Sequence, residues 1–313
     1  MTVVGTRPCL PGFLNRSEWL TAPVRAERLA ALRIGFAAVL LFDIFVTYLP
    51  FLSDYYGRGS LSWPDVFASR FESPYWHWSL LRWLPDTWGP PVALAAWALA
   101  AVALLVGWQP RVAAAVAWAL SWSFLNSGYY FHNAGDRLRH TIPLLLMLCP
   151  CAAVWSVSKK SAPFGRGGTG PVYVYAWPLR LLFLLMVLMY FFNGLYKLSA
   201  PGWRDGSALH YVLTDVGWSR WPVQLPPGAV AVLAWVVMAW EVGFPLWMLV
   251  PPTRSAALWL GVLFHVGTGL HLELGMFWLY ALCLYLPLLP WEKWADGRTI
   301  TSATLDSPTP RPL

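Results

Sequence analysis

Apolar residues in this chain run in long blocks rather than in the narrow stripes of soluble helices. A helix needs roughly 20 mostly apolar residues to cross the hydrocarbon layer. Eight blocks approach that length: 29–51, 90–107, 111–129, 140–157, 176–197, 228–250, 255–272 and 274–290. The last two come from one stretch, 255–290, which is too long for a single crossing. It divides near His271-Leu272-Glu273-Leu274-Gly275, where a turn fits. The pattern predicts an all-α integral membrane protein, a polytopic bundle of about eight transmembrane helices spanning 29–290. Residues 1–28 form a basic, amphipathic leading segment, and 291–313 a short polar tail expected to be disordered. Residues 1–28 hold four arginines and no apolar core, which predicts no cleaved signal peptide.

Composition sharpens this picture. Of 313 residues, 58% are hydrophobic and 12% charged, about half the charged share of a soluble domain. The 22 tryptophans fit a chain crossing many interfaces, since indole favours the headgroup layer. The net charge of +7 does not call for nucleic acid, because most arginines and lysines lie in connectors between the apolar blocks. With the amino terminus inside, the inner segments hold twelve cations and the outer segments seven. The positive-inside rule then places both termini in the cytoplasm, in the cell (plasma) membrane. Arg33 and Arg180 fall just inside the inner ends of their helices. The long outer connectors, 52–89 and 198–227, are rich in Trp, Tyr and Pro and read as segments lying on the interface. The connector 161–170 reads as a plain flexible loop.

Ionisable groups inside the hydrocarbon layer are costly, which makes them functional candidates. Asp43, Lys197, Glu241 and His265 stand out. Asp43 reads as a polar contact between helices. Lys197 has no carboxylate beside it in sequence. It either snorkels its ammonium to the interface or, desolvated, becomes a neutral amine able to act as a base. Glu241 and His265, on successive helices, either bond to each other or line a site and share a proton. His265 and His271 are six residues apart, a rotation of about 600° that points them to different faces. With no H-x-x-x-H spacing anywhere, no metal site is expected. Cys149-Pro150-Cys151 reads as packing residues rather than a redox pair. The segment Phe131–His140 is densely polar: Asn133 to Asp136 reads as a turn at Gly135, with Asp136 capping the following helix. The same cluster would also suit an anionic or quinone-like ligand.

Several short motifs occur in order along the chain. They are Ala30-Ala31-Leu32-Arg33-Ile34-Gly35-Phe36, Asn133-Ala134-Gly135-Asp136, Trp155-Ser156, Tyr190-Phe191-Phe192-Asn193-Gly194-Leu195-Tyr196-Lys197-Leu198, Trp203-Arg204-Asp205-Gly206, and Phe264-His265 followed by Gly275-Met276-Phe277. Over residues 27–290 the chain resembles the HTTM (horizontally transferred transmembrane) domain family, which includes vitamin K-dependent γ-glutamyl carboxylases. The resemblance implies that Lys197 is the base that deprotonates a reduced vitamin K or menaquinol-type quinone, with Tyr190, Trp203, Glu241, His265, Asn133 and Asp136 around that cofactor. The oxygenated quinone would then remove a γ-proton from a peptide glutamate, and the carbanion would take up CO2. In the carboxylases a large extramembrane region holds the protein substrate. Here a secreted peptide would be held by the outer loops or by a second protein. Short members of the family resemble a maturation factor for a sporulation-delaying peptide toxin, and for these the alternative is maturation or export without carboxylase activity. A transporter is disfavoured, since no paired broken helices or repeats are visible.

Overall fold

The computed structural model describes residues 18–57, 60, 78–127, 134–158 and 170–295. Proline marks where its long helices begin. Pro occupies the first turn of α2 (Gly89–Val106), α5 (Trp177–Ser199), α7 (Pro227–Leu249) and α8 (Pro251–His271). There its missing N–H costs nothing and its fixed φ suits the helix. Three other long helices are α1 (Glu27–Asp43), α3 (Pro110–Ser127) and α4 (Ala134–Leu148). The set is completed by the eight-residue α6 (Ser207–Thr214) and by α9 (Phe277–Cys283), which is prolonged by a 3-10 turn at Leu286–Leu288. α1 continues as a π-helical stretch, Ile44–Tyr48. Gly107, at φ 74, ends α2 in the left-handed conformation.

Each of the eight apolar blocks overlaps one of these helices. At one end of the bundle, β1 (Pro23–Arg25) pairs antiparallel with β2 (Tyr173–Tyr175), and Arg28 meets Glu292 at 2.6 Å. At the other end the loop at Trp218–Arg220 bonds to His271 and Glu273. Four helices are long and apolar enough to cross a membrane: Glu27–Tyr48, Gly89–Val106, Trp177–Ser199 and Pro227–Leu249. Their outward faces carry exposed Leu184 and Leu188 on α5 and Val232 and Val236 on α7. Apolar side chains on this scale suit lipid rather than water. The protein is a mostly helical membrane protein.

Two packs make up the bundle. Helices α1 to α4 pack in succession around Tyr48, Trp97 and Phe124, with Trp97 stacked on Phe124 at 5.1 Å. Helices α5, α7 and α8 form the second pack, and α9 touches α1, α4 and α8 and so joins the two. The turn expected at 271–275 is present, with Gly275 at φ 57.

Three readings are revised. The helix expected at 140–157 starts and ends earlier, at Ala134–Leu148, because Cys149-Pro150-Cys151 turns the chain. Gly135 and Asp136 therefore lie within its first turn rather than in a preceding loop. Arg33, expected at a helix end as an orienting cation, is fully buried. It donates to the carbonyls of Leu104, Leu105, Cys151 and Trp155. Those oxygens come from the end of α2 and from the turn after α4. Trp155 reaches Arg33 from a left-handed backbone, φ 52. Tail residues up to 295 are structured where Glu292 meets Arg28 and the Trp291 indole donates to the Leu286 carbonyl. The connector segments 61–77 and 159–169, and residues beyond 295, lie outside the described residues.

Candidate functional site

The close approach of α5 to α7 is what assembles the site. At Gly194 a Cβ would lie 2.7 Å from the Val242 amide nitrogen and 2.9 Å from the Glu241 Cβ. Only a glycine allows the backbones this near, the familiar use of small residues between membrane helices. One turn further on, Lys197 Nζ donates to Glu241 Oε1 at 2.6 Å. The ammonium lies 4.9 Å from the centre of the Trp203 ring and 5.8 Å from that of Phe264. Trp203 comes from the single helical turn Pro201–Arg204, which directly follows α5. Cation–π contact in so desolvated a place adds about 1–2 kcal/mol to holding the charge.

The second part of the site is a chain of hydroxyls. Tyr190, two turns before Lys197, places its OH 2.6 Å from His265 Nε2 and 2.5 Å from the Tyr285 OH. Trp240 meets the Tyr190 ring edge to face at 4.6 Å, and Phe244 lies at 4.5 Å. His265 is 1% exposed and Glu241 2%. Each has one satisfied polar atom and one orphan: Glu241 Oε2 and His265 Nδ1 are buried with no hydrogen-bond partner among the described residues. The direct Glu241–His265 bond considered from sequence is not formed, because Lys197 and Tyr190 take their places. Pro245 adds another open group. Lacking an N–H, it leaves the Glu241 carbonyl, four residues earlier, without its helical donor.

Lys197, Glu241, Tyr190, His265 and Trp203 therefore converge, as named from sequence. Asp136 does not join them. It belongs to a second buried centre, where Arg139 Nη2 lies 2.6 Å from Asp136 Oδ1 and Arg139 Nη1 bonds Asp43 Oδ2 at 3.0 Å. The Tyr280 OH donates to the same Asp43 oxygen at 2.8 Å, and Tyr48 and Trp97 present their ring faces to the guanidinium. Asp136 thus pairs with Arg139 from the first turn of its own helix. Asp43 makes the interhelical contact read for it. Asn133 lies outside the described residues. Cys149 and Cys151 are buried thiols, both directed at the Leu146 carbonyl.

Tyr285 and Trp240 are site residues that sequence reasoning missed. Each is an aromatic with a polar tip set in an apolar run, and only the helix pairing shows where that tip goes. Arg139 was noted only as part of a polar cluster, and Tyr280 not at all.

The arrangement brings together an amine and carboxylate at hydrogen-bond distance, two orphaned polar atoms, and aromatic rings from Trp203, Trp240 and Phe264. Comparison with curated proteins and with solved structures finds no match. Comparison with known families matches residues 21–294 to the HTTM domain. With nearly its whole length matched, and with this lysine-centred site inside the matched region, the chain belongs to the HTTM domain family.

Proposed function

We propose that this protein is a quinol-dependent, carboxylase-like membrane enzyme whose base is Lys197, acting on a peptide glutamate at the outer membrane face. On this reading all eight helices cross the cell membrane, and both termini face the cytoplasm. The Lys197 end of the bundle then opens to the outer side. The reading is carried by one observation: a half-buried lysine and a buried glutamate 2.6 Å apart, with orphaned Glu241 Oε2 and His265 Nδ1 in the same group of residues.

The chemistry of the residues follows from that pairing. A protonated lysine is no base, so the neutral-amine reading needs somewhere for its proton to go. Glu241 supplies the place. Across 2.6 Å the pair holds one labile proton, and its transfer to the carboxylate frees the Nζ lone pair. The amine then takes a proton from a hydroxyl presented to it. Trp203 and Phe264 hold the ammonium that results, and the apolar surroundings keep bulk water from competing for it. A bound quinol would supply an acidic phenolic hydroxyl and two reducing equivalents. His265 and Glu241 would hold its polar groups, and Trp240, Trp203 and Phe264 its ring.

The test is oxygen consumption by purified protein with a reduced naphthoquinone, followed by mass spectrometry of candidate secreted peptides for added CO2. Lys197→Arg is the informative variant, because guanidinium keeps Glu241 paired but does not give up its proton. Wild-type turnover with none in Lys197→Arg is expected. A wild-type protein that neither binds nor oxidises the quinol, or an equally active Lys197→Arg, removes this reading and leaves the maturation role.

A further inference from the structure

The hydroxyl chain at Tyr285, Tyr190 and His265 has a direction, and that direction decides what the site offers a ligand. A neutral imidazole carries one hydrogen, on either Nδ1 or Nε2. If Nε2 carries it, the hydrogens run outward: Nε2–H to Tyr190, Tyr190 to Tyr285, and the Tyr285 hydrogen then meets no acceptor among the described residues. His265 Nδ1 is also left bare, so two buried groups go unpaired. If Nδ1 carries it, the Tyr285 O–H donates to Tyr190, the Tyr190 O–H donates to Nε2, and only Nδ1–H is left over. Each unmade buried hydrogen bond costs about 1–3 kcal/mol, so the second arrangement is favoured. Acidity points the same way, since a phenol donates better than an imidazole N–H and an imidazole nitrogen accepts better than a phenol oxygen.

The surroundings seat Tyr285 against Tyr190. A Cβ at Gly261 would lie 2.0 Å from its hydroxyl oxygen, so the glycine on α8 makes the room in which that hydroxyl meets Tyr190. Tyr285 sits in the break between α9 and the 3-10 turn that follows it.

We propose that Tyr190, itself held by the Tyr285 hydroxyl, is a positioning residue that donates to Nε2 and so holds His265 as its Nδ1–H tautomer. The site then offers a donor at His265 Nδ1 and an acceptor at Glu241 Oε2. That pair is complementary to phenolic hydroxyls, which accept at the first and donate at the second. The hydrogen-bond direction stands on its own; the phenolic ligand rests on the quinol reading above.

The experiment is nitrogen NMR of 15N-histidine-labelled full-length protein in lipid nanodiscs, with His265 assigned by its loss in His265→Gln. The wild-type protein is expected to show a protonated Nδ1 and a bare Nε2. A protonated Nε2 overturns the proposal, and this outcome requires no turnover. Tyr190→Phe takes away the donor to Nε2 and leaves the two ring nitrogens equally unpartnered, so a second population protonated at Nε2 is expected. A Tyr190→Phe spectrum identical to wild type removes Tyr190 from the role. Titration with 1-naphthol, a phenol that does not cycle between redox states, is expected to shift the Nδ1 resonance in wild type and less in Glu241→Gln. The expected tautomer without any naphthol shift would sink the phenolic ligand, and the quinol reading with it, while leaving the relay in place.

Discussion

Replacing Gly194 by alanine places one methyl group between α5 and α7. It would lie 2.7 Å from the Val242 nitrogen, 2.8 Å from Val242 Cγ2 and 2.9 Å from Glu241 Cβ. Ordinary contact begins near 3.4 Å, and two of the three obstacles are backbone or Cβ atoms that cannot rotate away. The helices must therefore separate by about 0.5–0.7 Å, or twist to the same effect, at the overpacking cost of roughly 1–3 kcal/mol. That displacement falls one turn from the Lys197–Glu241 pair. Its 2.6 Å contact lengthens to about 3.3 Å, beyond the roughly 2.7–2.9 Å of a strong charge-assisted bond. The assay is reversible unfolding in mixed micelles, combined with a double-mutant cycle on Lys197 and Glu241 in both backgrounds. Gly194→Ala should lose stability by that amount and weaken the coupling between the two charges. If Gly194→Ala is as stable as wild type with the coupling unchanged, the close approach is not what seats the pair.

Three further outcomes are expected. Lys197→Ala should destabilise by about 3–5 kcal/mol by stranding a buried carboxylate, and Glu241→Gln in the same chain should recover most of it in the same unfolding assay. Arg33→Lys should cost several kcal/mol, because one ammonium cannot reach the four carbonyls that a guanidinium fork serves; Arg33→Lys as stable as wild type would contradict this. At Glu292 burial opposes ionisation, but the hydrogen bond and charge of Arg28, together with the residue's own backbone amide and the charge of Arg25, hold the carboxyl below its usual range. A depressed carboxyl contributes stability above its unfolded pKa and loses it as pH falls through the folded one. The difference in stability between wild type and Arg28→Gln, under about 1 kcal/mol for so exposed a pair, should therefore shrink below pH ~4.

What could be read from the sequence was whatever depends on neighbours along the chain. Apolar block length located the helices, and Gly275 and the polar residues before it located the turn. The lysine motif and Phe264-His265 marked the right side chains. Partnership was hidden because it joins residues 44, 75 and 96 positions apart: Lys197 to Glu241, Tyr190 to His265, Asp43 to Arg139. Nothing local to Lys197 reveals that its carboxylate lies on α7, nor does a bare Tyr in Leu284-Tyr285-Leu286 announce a hydroxyl relay. The boundary of α4 was misplaced for a related reason. Its first turns are polar because Asp136 pairs with Arg139 inside the helix and Arg139 with Asp43 on α1, and a hydropathy pattern scores such residues as loop.

Arg33 also bears on the order in which the chain is assembled. When α1 is made, the oxygens its guanidinium will use do not yet exist; the farthest, on Trp155, lies 122 residues downstream. At a synthesis rate of about 5–20 residues per second, that wait is roughly 6–25 s. During it, α1 either stays near the aqueous edge of the translocation channel or borrows water and lipid phosphate. Its final seating is thus tied to the arrival of the turn after α4. In a chain inserted in order of synthesis, the arginine would keep the first helix provisional until the first four can close together.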